Sequence, residues 1–168
     1  MWIREETPED IEAICNVVRK AFAGAPGKGS LENRTLDTLR HDHALAVALV
    51  ADIDGRIAGH VAFSPARPSR DGDGWYVLGP AAVDPADQGH GVGAALVQAG
   101  LRMLQERQAN GCVVLGDPAW YGRFGFTADP LLTLPGAPEG MFQALRFTDA
   151  ASAGEVVLHP AFGHHEKS

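Results

Sequence analysis

A glycine-rich segment between a predicted strand and a predicted helix is the part of the chain best suited to chemistry. Residues 88–94 read Gln-Gly-His-Gly-Val-Gly-Ala, and they open a helix whose first turn is rich in glycine. The first N–H groups of a helix have no intrahelical partners, and the helix dipole places partial positive charge at that end. Glycine also lets a ligand approach the backbone closely. The segment therefore predicts a site for an anion, and for a phosphate in particular.

The spacing of these glycines does not match two common nucleotide sites. The dinucleotide pattern G-x-G-x-x-G, started at Gly89, requires a glycine where the chain has Ala94, and no G-x-x-x-x-G-K-[ST] occurs. A nucleotide-dependent oxidoreductase thus has only the glycines in its favour. On spacing alone, a turn that merely lets the helix pack tightly remains an alternative.

The pattern Gln88-x-x-Gly91-x-Gly93 resembles motif A of the Gcn5-related N-acetyltransferases (GNAT), in which Q/R-x-x-G-x-G/A binds the pyrophosphate of acetyl-CoA. Residues 79–85 look like that family's fourth strand and the turn after it. Residues 117–126 look like its motif B, in which a tyrosine precedes a Gly-Phe pair. Three further segments resemble the branch called YhbS-like predicted N-acetyltransferases: Gly59–Pro65, Val114–Pro118 and His159–Phe162. The resemblance covers nearly the whole chain.

The resemblance implies an α/β fold with a GNAT-like mixed sheet, mostly antiparallel and flanked by about four helices. In that fold the parallel fourth and fifth strands splay apart to hold acetyl-CoA. The Gln88 side chain would fix the loop, and the backbone N–H groups from Gln88 to Ala94 would cradle the pyrophosphate. A backbone N–H near Val83 could polarise the thioester carbonyl. The residues assigned in this way to acetyl-CoA are Ala82, Val83, Gln88, Gly89, His90, Gly91, Val92, Gly93 and Ala94.

Tyr121 occupies the family's general-acid position. A phenol suits that role, because its pKa near 10 allows it to share a proton with a leaving thiolate whose pKa is near 8.5. Packing under the last strands is the alternative role for Tyr121. Many members hold pantetheine with the Asn of N-x-x-A, where this chain has Gly-Asp-Pro-Ala, so Asp117 either takes that role or caps a short helix. The general base is left open between His60, a water relay and none.

Hydrophobic periodicity and turn residues predict the elements that must position these groups. Asp54-Gly55 predicts a two-residue hairpin turn. Helices are expected from Pro8 to about Ala23, from a Ser30 cap through Leu39, from Val92 to a stop at Asn110-Gly111, and from Pro118 to Phe124. Strands are expected over Trp2–Glu5, Leu45–Ile53, Ile57–Phe63, Trp75–Val83, Cys112–Leu115, Phe142–Phe147 and Glu155–His159. Residues 1–168 are expected to form a single N-acetyltransferase domain.

Composition restricts the partners of the chain. Its 168 residues carry a formal net charge of −7, which has the wrong sign for a non-specific binder of nucleic acid or of an anionic membrane. The longest apolar run, Ala44–Ala51, is far too short to span a bilayer. We see no signal peptide, and Cys15 and Cys112 are expected to be reduced thiols, which favours the cytoplasm. No metal ligand spacing is found, so no metal is expected.

The resemblance predicts direct transfer of the acetyl group to a primary amine, without a covalent acyl-enzyme, because no Ser or Cys stands beside a His. An acyl-CoA sensor without turnover is the alternative function. Three loops are expected to set acceptor specificity: Ala23–Ser30, Pro135–Met141 and Thr148–Gly154. Their acidic members, Glu139 and Asp149, either attract a cationic amine or are solvated loop charges. The acceptor and the oligomeric state, including a homodimer, are left unspecified.

Overall fold

A mixed sheet with helices on both faces carries the glycine-rich segment. The computed structural model describes the backbone of residues 1–167 and the side chains of residues 1–163. Its strands are β1 (Trp2–Glu5), β2 (Val47–Ile53), β3 (Arg56–Arg70), β4 (Trp75–Val83), β5 (Gly111–Leu115), β6 (Leu132–Thr133), β7 (Phe142–Arg146) and β8 (Ala153–Leu158). Its α-helices are α1 (Ile11–Ala21), α2 (Lys28–His41), α3 (Val92–Glu106) and α4 (Pro118–Tyr121). Short 3₁₀ segments cover Pro8–Asp10, Pro85–Asp87, Gly122–Phe124 and Pro160–Lys167.

The strand order is β1-β2-β3-β4-β5-β7, with β8 paired to the distal half of β3 and β6 paired to β8. Most neighbours are antiparallel, but β4 and β5 run parallel, from the pair Trp75–Gly111 to the pair Leu78–Val114. Beyond Leu78, β4 continues to Val83 paired with β3. The predicted mixed sheet, with a parallel fourth and fifth strand that separate, is confirmed.

Alternating side chains of the sheet divide the core into two layers. On one face, α3 packs Leu96 and Leu104 against Val61 and Phe63. On the other face, α1 and α2 pack residues such as Ile14 and Leu36 against Val50 and Ala62. The strands are therefore apolar on both sides, as expected for a sheet covered by helices on both faces.

The β2–β3 hairpin shows local sequence dictating backbone geometry. Asp54 and Gly55 have φ of +52° and +85°, and the strands close at the pair Ile53–Arg56. Two left-handed residues form the type I′ turn that matches strand twist, so the turn predicted from the sequence is confirmed.

The structure departs from the predicted elements most clearly at α2, β6 and β3. Helix α2 begins at Lys28 after a left-handed Gly27 (φ +79°) rather than at a Ser30 cap, and β6 was not predicted at all. Strand β3 continues through Pro65 and Pro68 to Arg70, beyond the predicted end at Phe63. Beyond Ala66, where its pairing with β4 ends, β3 pairs only with β8, and proline is tolerated at such an edge.

Candidate active site

The glycine-rich segment forms an open backbone surface at the end of β4. Gly89 and Gly91 have φ of +82° and +80°, and Gly91 is the residue that precedes the first turn of α3. A Cβ added at either glycine would meet no heavy atom within 4 Å. Glycine is therefore required here by the left-handed backbone, while the space above it is free for a ligand.

Four side chains hold this segment in place. Gln88 donates from Nε2 to the carbonyl oxygen of Val83 at 3.0 Å. The carboxylate of Asp84 accepts from the N–H of Ala86 at 3.0 Å. A bidentate ion pair joins Arg56 to Asp87 at 2.6 and 2.9 Å, so the loop is fixed to the start of β3. The loop is thus preorganised, and its N–H groups keep their direction before any ligand arrives.

A cleft of about 570 Å³ opens beside this segment, between α1, β4, α3 and α4. The cleft also contains Arg123, whose guanidinium lies 5.2 Å from the centre of the Trp120 ring, a cation that the sequence interpretation missed. Of the residues predicted to bind the cofactor, Ala82, Val83, Gln88, Gly89, Gly91, Val92, Gly93 and Ala94 all line the cleft.

His90 is the exception among the predicted cofactor residues. It is exposed and does not line the cleft, and its Nδ1 lies 3.1 Å from the carbonyl oxygen of Gln88. His90 is therefore exposed to solvent, while the glycines on either side of it, Gly89 and Gly91, line the cleft.

A second cavity, of about 520 Å³, lies along β4 from Val77 to Ala81. Its walls come from α2, from the end of β5, from residues 134–141 and from the chain after β8. It shares three lining residues with the cleft: Phe22, Ala81 and Tyr121. The two cavities therefore meet where β4 and β5 have separated.

Tyr121 stands at this junction. Its ring packs edge-on against Trp120 and Phe126, with centroid distances of 4.9 and 6.0 Å, and a Cβ on Gly116 would lie 2.5 Å from Tyr121 Cε2. Burial, with a smaller contribution from Cys112, raises the pKa of the Tyr121 phenol to about 12. The phenol is therefore fully protonated at neutral pH.

Asp117, whose role the sequence left open, caps α4. Its Oδ1 accepts a hydrogen bond from the N–H of Ala119 at 2.9 Å. Pro118 follows as the first helical residue, so the short motif Asp-Pro-Ala builds the helix that carries Tyr121.

His60, the candidate base, lines the cleft, but its side chain is buried and contacts Glu6. It is 1% exposed, and its Nε2 lies 2.7 Å from Glu6 Oε1. Burial lowers the pKa of His60, although the hydrogen bond to Glu6 opposes this. Within the described part of the chain, its Nδ1 has no hydrogen-bond partner.

The loops expected to set specificity are placed differently. Residues 134–138 and Met141 line the second cavity, and so does Lys28 from the first loop. The loop Thr148–Gly154 does not, because Ser152 accepts a hydrogen bond from Trp75 Nε1 at the opposite end of β4. Neither Glu139 nor Asp149 lines either cavity.

Glu32 is the residue of this region that sequence interpretation missed. It lies on α2, is 5% exposed, and lines the second cavity. A glutamate five residues into a polar helix gives no local signal, since only packing against the cavity distinguishes it from a solvated charge.

Among the described residues, no group of three or more His, Cys, Asp or Glu is arranged to hold a metal ion. No helix in that part of the chain is both long and apolar enough to cross a membrane.

Known proteins are similar to this chain in sequence and in fold. The model of the acetyltransferase (GNAT) family matches residues 11–126. The uncharacterized N-acetyltransferase YhbS of Escherichia coli K12 is 37% identical over 163 residues, which cover 94% of each chain. A crystal structure of E. coli YhbS with CoA superposes with a TM-score of 0.88 at 35% identity, covering 96% of this chain and 91% of that one. A GNAT family acetyltransferase from Brucella melitensis, in complex with acetyl-CoA, gives 0.84 at 40% identity, covering 96% and 97%.

Proposed function

The chain belongs to the acetyltransferase (GNAT) family, and on this basis we propose that it transfers the acetyl group of acetyl-CoA directly to a primary amine. The observation that carries the proposal is the junction of two cavities at Tyr121. One cavity has the backbone of an anion site, and the other gives a second molecule access to the same phenol.

The residues present fit acetyl-CoA. The left-handed glycines before α3 expose N–H groups and the positive end of the helix dipole, which favours the pyrophosphate. Arg123 adds a cation to the same cleft, while the charge of Asp87 is offset by Arg56. After β5 separates at Leu78, the edge of β4 can hydrogen-bond pantetheine as a strand would. Both relatives crystallised with CoA or acetyl-CoA share this fold.

Acetyl-CoA supplies an activated thioester, in which the C–N bond to the amine forms at the carbonyl carbon as the C–S bond breaks. Tyr121 donates its phenolic proton to the departing sulfur and then recovers one from solvent. The nitrogen loses its extra proton to solvent through the second cavity. Backbone N–H groups of β4 are placed to stabilise the negative charge that develops on the carbonyl oxygen. The products are the acetamide and the free CoA thiol.

Direct transfer agrees with the lining of the cavities. In the described part of the chain, no Ser, Thr or Cys lines either of them. Cys112 is fully buried in the core, and burial raises the pKa of its thiol. A covalent acetyl-enzyme would need such a nucleophile.

Release of CoA thiol from acetyl-CoA, measured with a panel of primary amines, tests the proposal. We expect release that depends on the amine, and a Tyr121→Phe variant that retains acetyl-CoA affinity but loses about 10²–10⁴-fold in turnover. The phenylalanine keeps the ring packing and removes only the proton donor. Acetyl-CoA binding without release for any amine would favour the acyl-CoA sensor. If Tyr121→Phe turns over at the wild-type rate when chemistry is rate-limiting, the Tyr121 ring serves packing and not proton donation.

A further inference from the structure

Arg123 is a cation of the cleft whose charge the fold does not neutralise. Among the described residues, it is the only lysine or arginine that lines this cleft. The cleft also contains one aspartate, Asp87, but both carboxylate oxygens of Asp87 accept from Arg56, at 2.6 and 2.9 Å. Arg123 is exposed, and no described carboxylate lies within ion-pair distance of it. Its positive charge is therefore available to an anion in the cleft.

Two aromatic rings orient the Arg123 guanidinium. Its Cζ lies 5.2 Å from the centre of the Trp120 ring and 5.5 Å from the centre of the Phe124 ring. These two rings pack edge-on against each other, with their centroids 5.0 Å apart. Cation–π contacts of this kind hold a guanidinium in place without using its N–H groups. Arg123 is therefore a preorganised donor for an anion.

Trp120 places this donor next to the first turn of α3. A Cβ on Gly93 would lie 3.3 Å from Cζ2 of Trp120, so the indole touches that turn. The same indole carries the Arg123 guanidinium on its ring. The cleft thus has two neighbouring groups of anion donors, the backbone N–H groups before α3 and the guanidinium of Arg123.

We propose that Arg123 binds the 3′-phosphate of acetyl-CoA and makes the protein selective for a thioester that carries this group. The inference rests on the function proposed above and names the part of the donor substrate that Arg123 recognises. CoA has two kinds of phosphate, the pyrophosphate and a phosphomonoester on the 3′ oxygen of the ribose. The turn before α3 provides N–H groups for the first. The second is almost doubly ionised at neutral pH, and a guanidinium binds such a group with two parallel N–H bonds.

The position of Arg123 assigns it to the donor substrate and not to the acceptor. Arg123 lines the cleft beside the glycine-rich segment and does not line the second cavity, where we place the amine. A cation beside the amine would also repel the ammonium form in which most amines arrive. Arg123 follows Tyr121 by two residues, on the 3₁₀ segment after α4. A bound 3′-phosphate therefore also fastens the segment that carries the phenol.

Titration calorimetry with CoA and with dephospho-CoA, which lacks only the 3′-phosphate, tests the inference on the full chain. For the wild type we expect CoA to bind about 10-fold more tightly or better, because dephospho-CoA cannot form the charge-assisted hydrogen bonds. Arg123→Gln should bind CoA as weakly as the wild type binds dephospho-CoA, and its affinity for dephospho-CoA should be unchanged. Arg123→Lys, which keeps the charge but not the paired donors, should retain part of the preference.

Arg102→Gln is the matched control, since Arg102 is an exposed arginine of α3 that does not line the cleft, and both affinities should stay at their wild-type values. Three results would overturn the inference. They are equal affinity of the wild type for the two ligands, a preference for CoA that persists in Arg123→Gln, or an equal loss of affinity for both ligands in that variant. A wild type that binds neither ligand would count against the proposed function as well. A preference for CoA that depends on Arg123, without amine-dependent thiol release, would support the inference and count against the proposed function alone.

Discussion

Glu6, which follows β1, links β3 and α2 through one carboxylate. Its Oε1 lies 2.7 Å from Nε2 of His60 on β3, and its Oε2 accepts from Nε of Arg40 on α2 at 2.8 Å. Burial raises the pKa of Glu6, but the hydrogen bonds from His60 and Arg40 outweigh burial and bring it to about 2. Since the ionised carboxylate can only accept, His60 donates from Nε2.

This carboxylate predicts a pH-dependent stability. Because its pKa is lowered from 4.5 to about 2, Glu6 stabilises the fold above pH 4.5, and this stabilisation is lost as the pH falls toward 2. We expect Glu6→Gln to lower the free energy of unfolding by roughly 2–3 kcal/mol at pH 7, and by much less near pH 3. Urea denaturation at both pH values measures this. The exposed neighbour Glu5→Gln is the control, and equal losses at both pH values would refute the assignment.

At the residue scale, the site divides into groups that sequence reveals and groups that it does not. Gln88, Gly91 and Tyr121 follow fixed local spacings, so a resemblance could identify them. Glu32 and Arg123 line the cavities because elements distant in sequence pack together. The residues next to them in the sequence form no pattern that predicts this location. The outward direction of His90 likewise depends on the left-handed φ of both flanking glycines.

We expect cofactor binding to depend on the first turn of α3. The chain offers a matched pair of helix starts, because Gly91 before α3 and Gly27 before α2 have φ of +80° and +79°, each with open space where a Cβ would lie. They differ in location, since Gly91 lines the cleft and Gly27 lines neither cavity. Only a substitution of Gly91 is therefore expected to affect a ligand at the proposed pyrophosphate site.

Alanine at each of these glycines separates backbone strain from ligand binding. Both Gly91→Ala and Gly27→Ala should lose about 1–2 kcal/mol of stability, because a Cβ is disfavoured at left-handed φ. Acetyl-CoA affinity, measured by titration calorimetry, should fall at least 10-fold in Gly91→Ala and stay at the wild-type value in Gly27→Ala. Unchanged acetyl-CoA affinity in Gly91→Ala, or equal losses of affinity in both variants, would show that the pyrophosphate does not bind at this turn.

Elements with strong periodicity were predicted well, and weakly patterned ones were not. Helix α3 and strand β4 carry continuous apolar faces, and their starts at Val92 and Trp75 match the structure. Strand β3 was predicted too short, because its last residues, Arg67–Arg70, pair in the described chain only with β8, almost 90 residues later. Two-residue β6 exists only through pairing with β8, which no local pattern can report.

Across the whole molecule, the net charge of −7 is compatible with the proposed anion site, since Arg123 and the backbone N–H groups before α3 supply local positive charge in the cleft. The two cavities share Phe22, Ala81 and Tyr121, where β4 and β5 have diverged. We propose that one substrate binds in each cavity, so that transfer occurs within a ternary complex and no acetylated form of the protein arises.

Intact-protein mass spectrometry, combined with initial velocities at several concentrations of both substrates, tests that claim most directly. With acetyl-CoA alone, we expect the protein mass to stay unchanged. With an accepted amine, double-reciprocal lines should intersect, and one acetamide should form per CoA thiol released. A mass increase of one acetyl group on incubation with acetyl-CoA alone, together with parallel lines, would contradict direct transfer between the two cavities.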